Sequence, residues 1–363
     1  MEFITCTTAY DQAALNLISQ VFNPKMTMKY PFLLGKDNLN HRFIALQDDK
    51  VLGVVSYYVT PVRLGLFSLN LASIGAVATH PHHRGQGIAS ALLKLAEASM
   101  KEEGTDLVVI SGDIGIYKRF GADHLSLLAS FTLPQVISEV SLIDYKPKDL
   151  STYYALYRQQ PFIFERSKTE FKKLIEAVIS EDPWEQCYFH GLVIDKKIVG
   201  YLVLNTRPHR TTGVIREFAG SAKALVGSTT QLMEHYQLKQ IKLELVHNDP
   251  YVAILNALGL HHKHLEVESM MKIIDFNRLI DQLQPYFEYV LGDDHDALFI
   301  RYYDGLYQFR YKEAHYETSD FNEAQHILFG PYDNSDLIDH PISEVFSVLF
   351  PLPFVYTSNM NYQ

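Results

Sequence analysis

The run Arg84-Gly85-Gln86-Gly87-Ile88-Ala89-Ser90 places two glycines one residue apart, just ahead of an apolar series at helical spacing. A diphosphate asks for such an arrangement. Several backbone N–H groups must converge with no side chain in the way, and a helix N-terminus adds the positive end of its dipole. Gly85 and Gly87 clear that space, a helix from Gly87 aims its first amides into it, and Arg84 adds a cation at the rim. A Walker-type loop would need a lysine that is absent here, and a dinucleotide fingerprint would need a third glycine where Ser90 stands. An ordinary strand-to-helix turn is the remaining alternative. Two histidine groups, His80, His82 and His83, and His261, His262 and His264, raise the question of a metal. Zinc sites want cysteine or carboxylate partners at defined spacing, which neither group has, so no metal is expected.

Such a turn needs a strand before it and a helix after it. Ser68 to Thr79 reads as the strand, closed by Pro81, and the stretch from Gly87 reads as the helix, with Ile88, Ala91, Leu92, Leu95 and Ala96 on one face. Its end falls at Glu103-Gly104, where glycine suits a left-handed cap. Upstream, Gln12 to Phe22 has helical spacing, and Phe43 to Leu46 and Leu52 to Val59 flank the polar turn Gln47-Asp48-Asp49-Lys50. Leu107 to Ile110 follows as a buried strand. This order describes an α/β domain of about 140 residues.

The pattern then returns. Ile44-Ala45-Leu46-Gln47-Asp48-Asp49-Lys50-Val51-Leu52-Gly53 is echoed by Leu192-Val193-Ile194-Asp195-Lys196-Lys197-Ile198-Val199-Gly200, followed by a helical stretch over Leu225 to Tyr236 and a strand over Ile241 to Val246. The second copy carries Phe218-Ala219-Gly220-Ser221-Ala222-Lys223 where the glycine turn should be, so no cofactor is expected there. From Met271 the pattern changes again, to a helix over Phe276 to Leu283 and aromatic-rich strands over Ala297 to Tyr303 and Leu306 to Tyr311. Three units are therefore expected, over 1–145, 146–270 and 271–363.

With 363 residues, 47% of them hydrophobic and 20% charged, the chain can build several cores and is not disordered. Its 32 basic and 42 acidic residues give a formal charge of -10. No basic stripe stands out, which argues against nucleic acid as a partner and is compatible with cationic ligands. Two cysteines, Cys6 and Cys187, suit a reducing cytoplasm. Neither a leader nor a membrane-spanning run is recognised, so no membrane partner is expected.

Arg84, Gly87 and Ala89 satisfy the signature of the GCN5-related N-acetyltransferases (GNAT), which is Gln or Arg, two residues, Gly, one residue, then Gly or Ala. The flanking Val77-Ala78-Thr79-His80-Pro81-His82-His83 and Leu92-Leu93 resemble the rest of that signature. The resemblance implies acetyl-coenzyme A as acetyl donor. It also implies a mostly antiparallel mixed sheet with a splayed central strand pair, in which Val77, Ala78 and Thr79 offer free backbone to the pantetheine arm. The expected cofactor-binding set is Val77, Ala78, Thr79, Arg84, Gly85, Gln86, Gly87, Ile88, Ala89 and Ser90, with Gly112 and Asp113 after the next strand. Tyr117, in the setting Tyr117-Lys118-Arg119-Phe120-Gly121, resembles the family's general acid, which returns a proton to the departing thiolate.

The three-part layout resembles the enhanced intracellular survival (Eis) acetyltransferases, with tandem GNAT folds and a C-terminal sterol-carrier-like α+β domain. That resemblance implies transfer to a primary amine of an aminoglycoside, a polyamine-like molecule or lysine. It further implies a homo-oligomer, up to a hexamer, and a catalytic base formed by the chain's terminal carboxylate, here that of Gln363. The alternative is a non-catalytic acyl-coenzyme A sensor or lipid-binding protein.

Overall fold

In the computed structural model, which describes residues 1–22, 24–112, 115–182, 184–330, 337, 340–354 and 360, the chain passes twice through one succession of elements. The first passage is β1 (Glu2–Thr5), α1 (Thr8–Val21), α2 (Met26–Lys29), β2 (Arg42–Gln47), β3 (Lys50–Leu64), β4 (Phe67–Thr79), α3 (Ile88–Glu102), β5 (Leu107–Ser111), α4 (Gly115–Arg119) and β6 (Leu127–Leu133). The second is β7 (Ser141–Asp144), α5 (Leu150–Arg158), β8 (Phe162–Phe164), α6 (Lys168–Val178), β9 (Gln186–Ile194), β10 (Lys197–Thr206), β11 (Thr212–Gly220), α7 (Ala222–Gly227), α8 (Thr229–His235), β12 (Gln240–Val246), α9 (Pro250–Ala257), β13 (His262–Glu266) and β14 (Ser269–Ile273). There follow α10 (Phe276–Gln282), α11 (Gln284–Leu291), β15 (Leu298–Tyr303), β16 (Leu306–Tyr311), β17 (Ala314–Thr318), α12 (Phe321–Phe329) and α13 (Ser343–Leu349).

Matching hairpin turns recur in both copies. Asp48 and Asp49 between β2 and β3, and Asp195 and Lys196 between β9 and β10, all have positive φ, as a two-residue hairpin turn matched to strand twist requires. The sheets built on them share one connectivity. One has the order β1-β2-β3-β4-β5-β14, with β8 on β3, and the other has β13-β6-β12-β11-β10-β9-β7. All neighbours are antiparallel except β4 with β5 and β11 with β12. This is a mixed, mostly antiparallel α+β fold present twice.

The closing strands are exchanged. β14, which ends the second passage, pairs with β5 of the first, and β6, which ends the first, pairs with β12 of the second. Alternation along β2 explains how one sheet serves two layers: Phe43 and Ala45 join the core under α3, while Ile44 and Leu46 join the core under α1. A third core covers the opposite end of the same sheet, where Leu69, Leu71, Leu107 and Val109 meet Phe276, Leu279 and Phe309 of the C-terminal stretch.

Two sequence expectations shift. α1 begins at Thr8 rather than Gln12, with Thr7 at its N-cap. The helix expected over Leu225 to Tyr236 is two helices, broken where the Ser138 hydroxyl donates to the carbonyl of Gly227 at 2.7 Å. Among the described residues no helix is long and apolar enough to cross a membrane.

Candidate active site

The turn between β4 and α3 has the form its sequence asks for. Gly85 and Gly87 have φ of +77° and +76°, in the left-handed region that side chains avoid, and no atom beyond the adjoining residues lies within 4 Å of where a Cβ would stand on either. Ile88 anchors the turn in the core beside Leu92 and Leu93, while Arg84, Gly85, Gln86 and Gly87 are exposed and Ala89 and Ser90 half-buried. No side chain caps α3, and Ala91 donates back to the Gly87 carbonyl at 3.0 Å. The amides of Ile88, Ala89 and Ser90 are therefore the helix's free first-turn donors, aimed at the open side of the turn. The His80 ring lies 5.6 Å from that of His82 and 5.5 Å from that of His83, centroid to centroid, on the near flank, and the rings of His262 and His264 lie 5.0 Å apart elsewhere. Among the described residues no group of three or more His, Cys, Asp or Glu is placed to hold a metal.

Beside the turn the sheet opens. The parallel ladder between β4 and β5 runs from Leu71 and Leu107 to Ile74 and Ile110 and stops. Among the described residues β4 continues to Thr79 with only β3 for a partner, its register shifted by a bulge at Ala76, whose φ is +54°. β5 runs on to Ser111, paired to Ser269 of β14. Val77, Ala78 and Thr79 thus form an edge facing a wedge rather than a neighbouring strand.

Gly112 lies at the far wall, with φ of +98°, and a Cβ on it would sit 3.9 Å from the Tyr117 ring. Asp113 is outside the described residues. Tyr117 sits in the single-turn helix α4, 6% exposed, in the core that holds Ile110 and Ile88. Burial pushes its phenol up to about 12. It therefore holds its proton at neutral pH.

Residues 2–125 match the sequence family described as the acetyltransferase (GNAT) domain. The first copy is a GNAT acetyltransferase domain. No curated protein matches the chain in sequence. Among solved structures, a GCN5-related N-acetyltransferase from Anabaena variabilis superposes with a TM-score of 0.68 at 14% identity, covering 98% of each chain. Eis1 from Mycobacterium abscessus superposes with a TM-score of 0.63 at 14% identity, covering 98% of this chain and 100% of that one. A probable N-acyltransferase from Enterococcus faecalis gives 0.59 at 17% identity, over 77% of this chain and 74% of that one. The fold is thus shared over nearly the whole chain, at low identity.

Outside the GNAT domain the second copy repeats the parting of strands and keeps a cavity of about 70 Å³ there, lined by Phe164, Glu217, Phe218, Leu243, Leu245 and Tyr251. Its parallel ladder ends at Ile215 and Leu243, and β11 runs on to Gly220. A Cβ on Gly220 would lie 2.4 Å from the Val199 carbonyl oxygen, so this glycine serves backbone contact rather than ligand access. The Ser221 side chain accepts from the Ala224 amide, capping α7, and the Tyr251 hydroxyl donates to the Gly220 carbonyl at 3.0 Å. The helix N-terminus that is uncapped in the first copy is capped by its own Ser221 here.

Between the copies lies an aromatic wall whose role the sequence did not announce. Phe32 packs against a cluster of Tyr153, Tyr157, Phe171, Phe189 and Tyr201, and also stacks on Tyr58, with ring centroids 5.5 Å apart. Burial, with Glu170 adding to it, pushes Tyr58 up to about 12. At the wall's centre Arg166 grips Glu217 through both nitrogens, at 3.0 and 2.9 Å, and the Tyr201 hydroxyl donates to the same carboxylate at 2.8 Å. Arg166 and Glu217 belong to no motif and lie 51 residues apart, so only the folded chain reveals them. Gln363 is outside the described residues. Met360 is described and buried in this wall, donating its amide to Glu217 at 3.3 Å.

Proposed function

We propose that the chain moves an acetyl group from acetyl-coenzyme A to a primary amine, at one site per chain built in the first copy. The observation that carries this reading is the open wedge between Val77–Thr79 and Gly112, set between a capless helix N-terminus and a buried, protonated tyrosine. The Gly85–Ser90 turn takes the diphosphate on its amides, with Arg84 at the rim. The β4 edge takes the pantetheine amides as a strand would, and its backbone donors polarise the thioester carbonyl. Tyr117 protonates the departing thiolate. On the family resemblance, the α-carboxylate of Gln363 receives the proton of the attacking amine.

A cationic acceptor, of aminoglycoside, polyamine or lysine type, is supported by the formal charge of -10 and by the likeness in fold to Eis1. The same resemblance supports a sterol-carrier-like third unit and a homo-oligomer, the repeated sequence pattern supports units at 1–145, 146–270 and 271–363, and the two lone cysteines support a cytoplasmic setting.

Thiol release from acetyl-coenzyme A, measured against a panel of amines, tests the reading. Turnover with at least one amine that falls in a Tyr117→Phe variant is the expected result. Tight binding of acetyl-coenzyme A without turnover on any amine would replace it with a sensor.

A further inference from the structure

A carboxylate offers about four acceptor sites, and in a buried position each one left empty is costly. Glu217 fills three from the second copy itself: Nη1 of Arg166 and the Tyr201 hydroxyl on Oε1, and Nη2 of Arg166 on Oε2. The fourth goes to a main-chain amide from the other end of the chain, that of Met360, at 3.3 Å on Oε2. The Met360 side chain, 6% exposed, is buried among Tyr153, Tyr157, Phe171 and Tyr201. Arg166 is itself fixed, lying over the Tyr157 ring at 4.4 Å to the centroid.

The location matters as much as the bonds. Glu217 lies on β11 two residues past Ile215, the last residue paired to β12, in the stretch that serves as the open edge in the first copy. A buried ion pair contributes little net stability against an apolar replacement of the same shape, so stability alone does not account for it. The pair gives the second copy a rigid acceptor pointed at an incoming backbone, with an apolar seat beside it.

We infer that the second copy is the dock for the chain's own C-terminal segment, with Glu217 as the receptor for the Met360 amide and the aromatic wall as the receptor for its side chain. Its consequence for turnover rests on the acetyltransferase reading, since a held Met360 fixes the starting point of residues 361–363. Glu217 is then a positioning residue.

The test uses the full chain and hydrogen exchange of the C-terminal peptide, read by mass spectrometry. Glu217→Gln and Met360→Ala should each speed exchange there by about tenfold, the effect of losing one charge-assisted hydrogen bond or one buried anchor. Met360→Ala leaves the ion pair intact, so the dock is testable even if Glu217→Gln fails to fold. Unchanged exchange in Met360→Ala, with the melting temperature unchanged, overturns the dock whatever the kinetics show. In turnover, both variants should lower kcat about tenfold with KM for acetyl-coenzyme A unaltered, and Glu217→Gln should add nothing in a chain lacking residues 361–363. If removing those residues leaves turnover intact while the two variants still speed exchange, the dock stands and the terminal-carboxylate base falls.

Discussion

Ile74 and Ile110 are the last residues to face one another across the parallel ladder of the first copy, and the wedge beyond them is held open by the bulge at Ala76. At φ of +54°, Ala76 is a residue for which a β-branched side chain is unsuited. Ala76→Val should destabilise the protein by about 1–2 kcal/mol. It should also weaken binding of coenzyme A, because relaxing the bulge re-registers the Val77–Thr79 edge. Denaturant melts and calorimetric titration with coenzyme A check both effects. Normal coenzyme A affinity in a destabilised variant would separate the bulge from the binding edge.

Gly87→Ala addresses the turn itself. The space at its Cβ is empty in the protein, so strain comes only from φ of +76° and amounts to about 1 kcal/mol. The added methyl projects toward the side on which a diphosphate would lie. KM for acetyl-coenzyme A should therefore rise about tenfold or more while kcat at saturation changes little. A drop in kcat at unchanged KM would place the diphosphate elsewhere.

Tyr117 should govern kcat rather than binding. Removing its hydroxyl in Tyr117→Phe should lower kcat by roughly 100-fold or more, the usual share of a positioned acid. With its pKa raised from 10.0 to about 12, the phenol is protonated throughout the working range, so it should contribute no alkaline limb to the rate profile below pH about 10. The same shift has a sign for stability. A folded pKa above the unfolded one contributes stability that is complete below pH about 10 and is lost as pH rises through about 12. Melting temperatures across pH 8 to 11, compared with the phenylalanine variant, read that loss.

Asp249 presents the opposite lesson for a carboxylate. It caps α9 by accepting from Tyr251, yet burial pushes it up from 3.8 to about 6. Its folded pKa exceeds its unfolded one, so its contribution is full below pH about 4 and is lost as pH rises through 6. Asp249→Asn keeps a capping oxygen without the charge. The variant should be more stable than the parent by up to about 3 kcal/mol at pH 8 and no more stable at pH 4. Equal gains at both values would assign the effect to capping geometry.

The exchanged strands forbid a simple dissection. A fragment of residues 1–145 leaves the outer edge of β5 bare where β14 belongs and deprives β6 of β12. Unpaired apolar edges recruit one another. Expressed alone, this fragment should aggregate, and co-expression with residues 146–363 should restore a soluble complex. A monomeric, well-folded fragment on size exclusion would contradict the prediction.

What could be read from residues alone follows from how locally each feature is specified. The Gly85–Gly87 turn and the Asp48-Asp49 and Asp195-Lys196 hairpins were legible because positive φ selects residue types at single positions. α3 was legible because Ile88, Leu92 and Ala96 repeat on one face. The bulge was not, since an alanine carries no mark of the left-handed region. Neither was the pairing of Leu107–Ser111 with Ser269–Ile273, because strand partners so distant are chosen by the finished sheet. Arg166 and Glu217 were invisible for the same reason. Each is an ordinary surface-type residue until folding buries both.

The exchange of β6 and β14 also sets a clock on biosynthesis. β5 leaves the ribosome early, but the strand that completes its edge lies about 160 residues downstream, roughly ten to thirty seconds of elongation at typical rates. Throughout that interval the nascent acetyltransferase unit carries Leu107–Ser111 as an unshielded ribbon, and β6 waits for β12 in the same way. The period of greatest exposure to misassembly thus falls during translation, before either half can be finished without the other.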